Sequence, residues 1–153
     1  MLRALPVLLF ALVVAACGPG VVYEREVGFG PAGWTYADSV AFRYEIADTT
    51  RGYDLELTLK HTDAYPAQNL YARFVTVYPN GARASEPVSL ELADRFGAWL
   101  GDCAGADCTL RLPLQDGARF PEPGTYGLTL HQFGRAEAEP EVRAVGLRVL
   151  AGE

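Results

Sequence analysis

Apolar and polar residues alternate along much of the chain. The alternation is strict over 40–46 and again over 53–59. A period of two puts successive side chains on opposite faces, so both stretches predict strands with one buried and one solvent-facing side. The segment 70–78 differs, because it is apolar in both phases apart from Arg73 and Thr76. That pattern predicts a central strand covered on both sides.

Shorter apolar runs predict further strands near 21–27, 88–92, 108–114, 126–130 and 145–149. Pro79-Asn80-Gly81 is a strong turn signal, and Pro113 marks its strand as an edge strand or a strand end. Only Leu92–Leu100 is compatible with a helical turn. Seven or eight short strands joined by turn residues predict one all-β domain over 21–153, an antiparallel β-sandwich of jelly-roll or immunoglobulin-like type.

The first sixteen residues predict a secretory signal peptide. One positive charge, Arg3, precedes an apolar stretch from Leu5 to Val14, which is too short for a membrane-spanning helix. The ending Val13–Cys17 looks like the lipobox of bacterial lipoproteins, with Cys17 as the acceptor of the lipid. The alternative is an ordinary signal peptide followed by an unmodified cysteine.

We therefore expect a lipid anchor at Cys17 and a short linker over residues 17–20. Several acyl chains on one cysteine exceed what stable membrane attachment requires. No aspartate follows Cys17, which favours the outer membrane over the inner membrane. Both the periplasmic face and the surface of that membrane are compatible with the sequence.

The charge balance excludes some partners. The chain has 13 basic and 19 acidic residues, a net charge of −6. Removal of residues 1–16, which include Arg3, changes this to 12 − 19 = −7. An acidic surface disfavours nucleic acid, because affinity for phosphates comes largely from basic side chains.

The remaining two cysteines predict a disulfide. Cys103 and Cys108 lie in a glycine-rich loop of an exported chain, where oxidation is the expected state. A zinc site would need four ligands, and no histidine is near them in the sequence. Asp94, Asp102 and Asp107 could offer oxygen ligands to calcium, but their spacing is not that of an EF-hand loop. We predict no metal site and no cofactor.

No catalytic constellation is evident. His61 and His131 fall on strand faces that would not converge, and the sequence holds no G-x-S-x-G, H-E-x-x-H or phosphate-loop motif. The two tryptophans, Trp34 and Trp99, stand out instead. Trp99 is flanked by Gly97 and Gly101, so it either plugs a sheet edge or presents its ring to a partner.

The order of several short blocks resembles the gliding-motility lipoprotein H (GldH) family of Bacteroidetes-type bacteria. The blocks run over nearly the whole mature chain: Trp34 with Asp38 and Phe42, Tyr44–Asp48, Tyr53–Leu55, Lys60–Leu70, Leu92–Gly101, Arg119-Phe120, Gly124–Tyr126, Gln132 and Val145–Val149. Leu92–Gly101 is the most characteristic of them. The chain departs from the family pattern at Phe133–Arg135 and in the charged run Ala136–Glu141.

The resemblance implies a non-enzymatic accessory lipoprotein of the gliding machinery, with a looser link to type IX secretion. Its partners would be other envelope motility or secretion proteins, and Trp99, Trp34 and Asp94 are the candidate contact residues. A lipid-anchored carbohydrate-binding sandwich, with Trp99, Trp34 or exposed tyrosines as stacking platforms, is the alternative. A glycoside or ester hydrolase is the third class.

Overall fold

The computed structural model describes residues 20–152, and all regular secondary structure in that range is β-strand. The predicted signal peptide and Cys17 lie outside the described residues. Eight strands have seven residues or more and three are short: β1 (Gly20–Gly28), β2 (Trp34–Thr35), β3 (Val40–Ile46), β4 (Tyr53–Thr62), β5 (Asn69–Val77), β6 (Arg83–Glu91), β7 (Asp102–Ala104), β8 (Asp107–Ala118), β9 (Gly124–Gln132), β10 (Ala138–Glu139) and β11 (Val142–Ala151). Over residues 20–152 no helix is long and apolar enough to cross a membrane.

The long strands form two antiparallel sheets that pack face to face. One sheet has the order β1-β11-β4-β8-β7, and the other has the order β3-β9-β5-β6. The short strands β2 and β10 pair separately. This confirms the predicted all-β sandwich. The eight long strands also agree with the seven or eight strands predicted from the sequence.

The core lies between the sheets and follows from the alternation in the sequence. In β3 the inward positions Val40, Phe42, Tyr44 and Ile46 are buried, whereas the three residues between them are exposed. In the other sheet Leu57 of β4 pairs with Leu147 of β11, and both are fully buried. Burial of such side chains contributes about 1.5–3 kcal/mol each.

Two local predictions need correction. Strand β5 is central, between β9 and β6, but only its inner face is covered, and Tyr71 on the outer face is 49% exposed. The apolar pattern on both phases therefore did not mean burial on both sides. Leu92–Leu100 forms a turn closed by a β-bridge between Ala93 and Trp99, not a helical turn.

The sandwich has two ends that differ in what they carry. We call the end that holds Gly20 the proximal end; there Gly20, Ala151, Tyr53 and Ala118 form one row across the five-stranded sheet. The opposite, distal end holds Gly28 and the loop after β6. In the sequence, Cys17 precedes Gly20 by three residues.

Candidate functional site

Residues 92–101 form a closed turn at the distal end, which we call the Phe96 turn. The bridge between Ala93 and Trp99 closes it, and the amide of Leu100 donates to the carbonyl of Leu92 at 2.9 Å. The turn follows directly from β6, whose last residues pair with the beginning of β5. It is therefore fixed to the sandwich at its base.

Asp94 holds the turn together. Its Oδ1 accepts hydrogen bonds from the amides of Phe96 at 2.8 Å and Ala98 at 3.0 Å. Its carbonyl accepts from the amide of Gly97 at 3.0 Å and from Nε2 of Gln68 at 3.1 Å. Aspartate is suited to this position because a short carboxylate reaches backbone amides two and four residues further on. The predicted contact residue Asp94 thus shapes the turn.

Trp99 fastens the turn to the core. Its ring lies 4.7 Å from the ring of His61, which is 1% exposed. Nδ1 of His61 is 2.8 Å from the carbonyl of Thr62 and donates to it, and Nε2 has no hydrogen-bond partner in the described residues. Trp99 is half-buried. Of the two roles predicted for Trp99, the structure favours the plug.

Apolar side chains of the turn are left exposed. Phe96 is 80% exposed and Leu100 50%. Beside them a shallow cavity of about 620 Å³ separates the turn from the adjoining ends of β5 and β6, with Gln68 and Glu91 in its lining. A phenylalanine exposed on a turn with a fixed backbone can contact a partner with little loss of conformational entropy. The sequence identified Leu92–Gly101 as a characteristic block but did not identify Phe96 as a contact residue.

Trp34 is a core residue, so its prediction as a contact residue is wrong. Its side chain is 0% exposed, Nε1 donates to the carbonyl of Asp38 at 2.7 Å, and its ring stacks on Phe29 at 5.5 Å. The pairing of β2 with β10 brings Glu139 opposite Trp34 from more than one hundred residues away. That long-range contact had no signal in the local sequence.

A disulfide joins Cys103 and Cys108 across the hairpin of β7 and β8. It lies at the distal end, since Cys108 also pairs with His61 of β4. His131 is on the four-stranded sheet, whereas His61 is on the five-stranded sheet. Within residues 20–152 no group of three or more histidine, cysteine or acidic side chains is arranged to hold a metal ion.

A second concave feature lies between the sheets at the proximal end, and sequence reasoning missed it. This inter-sheet groove has a volume of about 760 Å³, and its aromatic floor is formed by Tyr44, Tyr78, Phe120 and Tyr126. Burial, with smaller contributions from the other two tyrosines, raises the pKa of Tyr44 to about 12.

The comparison with known families agrees with the sequence blocks. The family model described as "GldH lipoprotein" matches residues 21–149. The chain belongs to the GldH lipoprotein family. The match covers the whole sandwich, from β1 into β11, including the Phe96 turn.

Two relatives extend this result. The gliding motility lipoprotein GldH homolog of Christiangramia forsetii is 22% identical over 147 residues, which are 95% of this chain and 87% of that protein. The gliding motility lipoprotein GldH of Flavobacterium johnsoniae is 25% identical over 149 residues, with 93% and 92% covered. Membership of a lipoprotein family supports the predicted lipid anchoring at the cell envelope.

Two solved structures show a remote likeness to the chain. CBM35 from Cellvibrio japonicus Abf62 is 18% identical, with 90% of this chain and 94% of that chain covered, at a TM-score of 0.33. An Xyl-CBM35 in complex with a glucuronic acid containing disaccharide has the same identity and TM-score, with 90% and 95% covered. At that TM-score the likeness supports no conclusion about a ligand.

Proposed function

We propose that this chain is a non-enzymatic accessory component of bacterial gliding-motility machinery, with a link to type IX secretion. It is acylated at Cys17 and anchored in the outer membrane. Its function is to bind another envelope protein of that machinery through the Phe96 turn. Family membership over residues 21–149 and the names of both relatives support the motility assignment.

The position of the anchor determines which surface is free. Cys17 precedes Gly20 of β1 by three residues, a span of about 10 Å at most. The proximal end is thereby kept near the bilayer. Strands of nine or ten residues extend about 30 Å. The Phe96 turn, at the distal end, therefore points away from the membrane and toward soluble or opposing envelope components.

The observation that carries the proposal is the fixed exposure of Phe96. Its ring is 80% exposed although Asp94 and Trp99 hold the turn that presents it. A flexible loop with the same residues would lose conformational entropy on binding, whereas this turn has already lost it on folding. Aromatic anchors on preorganised surfaces dominate the energetics of many interfaces.

Site-specific photocrosslinking tests this function. Phe96 is replaced by p-benzoylphenylalanine in the full-length protein, expressed in its own host from which the native gene is deleted. Phe133 is the matched control, because it is also an exposed phenylalanine, 45% exposed and covered on one side by Arg73 at 4.1 Å. We expect a discrete crosslink to an envelope motility or secretion protein from position 96 and none from position 133.

Genetic assays complete the test. Strains carrying Phe96→Ala or Cys17→Ala should lose spreading or secretion, and Phe133→Ala should not. Cys17→Ala should also release the protein from the membrane fraction. Normal spreading and secretion in the deletion strain, together with no crosslink at position 96, would refute the motility role. Glycan binding abolished by Trp99→Ala would favour the carbohydrate-binding alternative instead.

A further inference from the structure

We propose that the inter-sheet groove holds one acyl chain of the lipid on Cys17 of the same molecule. The inference rests on the proposed acylation of Cys17 and concerns a different surface from the Phe96 turn. The groove opens between the edges of β6 and β8, in the proximal half of the sandwich.

The groove exists because two strand edges on the same side of the sandwich lack partners. Strand β6 is the last strand of its sheet, and β7 pairs with β8 only over residues 107–109. Beyond that point no described strand covers the outer edge of β8. As a result Val88 of β6 and Leu114 of β8 remain half-exposed although both line the space between the sheets.

Proline makes strand addition at these edges unfavourable. Pro87 lies in the middle of β6 and Pro113 in the uncovered half of β8. Each lacks an amide proton, and proline is a common device by which proteins prevent edge pairing. The groove is therefore better suited to a ligand that needs no backbone hydrogen bonds. A hydrocarbon chain meets that requirement.

The floor of the groove is formed by aromatic side chains. Aromatic rings of Tyr44, Tyr78, Phe120 and Tyr126 supply apolar contact surface. Tyr44, which is only 4% exposed, packs against the rings of Phe120 at 6.2 Å and Tyr126 at 6.1 Å. A hydrocarbon chain that enters the groove lies against this aromatic surface.

The chain from Cys17 can reach the groove. Ala118, which lines it, lies in the same row as Gly20, three strand spacings away or about 14 Å. Residues 17–20 span about 10 Å when extended. An acyl chain adds about 15 Å, half the thickness of a bilayer's hydrocarbon core. The combined reach of about 25 Å exceeds the distance.

Two contributions favour the groove over the bilayer. An acyl chain in the groove contacts the aromatic floor on one side and the polar residues Ser85, Glu86 and Gln115 at the rim, so it keeps apolar contacts mainly along the floor. The protein gains, because half-exposed apolar side chains of the groove are removed from water. Attachment through Cys17 also makes the association intramolecular, which gives a high effective concentration. The other acyl chains remain in the bilayer and keep the protein anchored.

Photoreactive lipid labelling of the full-length protein in its own membrane tests the inference. Cells are fed a fatty acid that carries a diazirine and an alkyne, the envelope is irradiated, and the peptides are mapped by mass spectrometry. We expect crosslinks within one molecule, from the acyl group on Cys17 to peptides that contain Tyr44, Phe120 or Tyr126. The Ala84→Trp variant, which fills the groove from β6, should reduce these crosslinks to background. The matched Ala41→Trp variant, on the exposed outer face of β3, should leave them unchanged.

Four other results of the labelling experiment would contradict the proposed groove site or the proposed anchor. Labelled Cys17 without groove crosslinks in the wild-type protein refutes the groove site but leaves the anchor intact, and this arm needs no variant to fold. Groove crosslinks in Cys17→Ala would show that a free membrane lipid is the occupant. Crosslinks between two molecules would make a second copy the occupant. Absence of any acyl group on Cys17 refutes the proposed anchor itself.

Discussion

Replacement of Trp99 by alanine should loosen the Phe96 turn while the sandwich stays folded. Trp99 joins the turn to the core through the ring of His61 at 4.7 Å, in addition to the buried Leu92 and Ala93 at the base of the turn. The two sheets do not depend on it, since their strand pairs lie outside residues 92–101. We therefore expect a local loss of order together with a moderate loss of global stability.

The magnitude follows from the burial of the ring. An aromatic pair contributes about 1 kcal/mol beyond its area. Trp99 is half-buried, so removal of its side chain forfeits about half of the 1.5–3 kcal/mol of a fully buried large side chain. The free energy of unfolding should fall by about 2 kcal/mol. For the 153 − 16 = 137 residues that remain without the signal peptide, this corresponds to a decrease in Tm of roughly 8 °C.

Two measurements check the prediction on the mature chain carrying Cys17→Ala. Urea unfolding followed by the fluorescence of the buried Trp34 gives the global free energy, because that tryptophan is retained in the variant. Hydrogen exchange reports on the turn, where the amides of Phe96 and Ala98 are bonded to Asp94. These amides should exchange faster in Trp99→Ala, whereas the core strands should keep their protection.

Two controls make the result decisive. Trp99→Phe retains an aromatic contact with His61 and should lose less than half as much stability. Phe96→Ala removes an 80% exposed ring and should stay within about 0.5 kcal/mol of the parent chain. The reasoning is refuted if Trp99→Ala leaves both the unfolding midpoint and the exchange of the turn amides unchanged.

Three further predictions concern the rest of the sandwich. Gly33 has a φ of +71°, and a Cβ there would lie 2.0 Å from the carbonyl oxygen of Glu139. Gly33→Ala should therefore cost several times more stability than Gly81→Ala, where φ is also positive but the space is open. Equal losses of stability in thermal unfolding would contradict the clash. Replacing Cys103 and Cys108 together by serine should lower the free energy of unfolding by about 2 kcal/mol, because the disulfide closes a short loop in the unfolded chain. If a reductant does not change the unfolding of the parent chain, this prediction is wrong. Burial raises the pKa of Glu139, so the folded state favours the protonated acid and stability is lost as pH rises from the unfolded pKa toward the higher folded pKa. Glu139→Gln should therefore stabilise the protein more at pH 7 than at pH 4 in denaturant titrations, and the reverse order would refute the shift.

The sequence by itself determined the fold class and most strand positions. Alternation is a local property, because a period of two records which side of a strand is apolar without reference to its neighbours. The long strands β3 and β4 were predicted in this way, as was the single domain. Cysteine spacing likewise predicted the hairpin disulfide, because both cysteines belong to one tight loop.

Only the tertiary structure decided which residues are available to partners. Trp34 and Trp99 look alike in sequence, each close to a glycine, but the pairing of β2 with β10 buries the first. Phe96 is exposed because Asp94 and Trp99 fix the turn beneath it, which requires His61 from a distant strand. The inter-sheet groove depends on which strand edges stay unpaired. Such properties arise from contacts between residues far apart in the chain, and local periodicity carries no information about them.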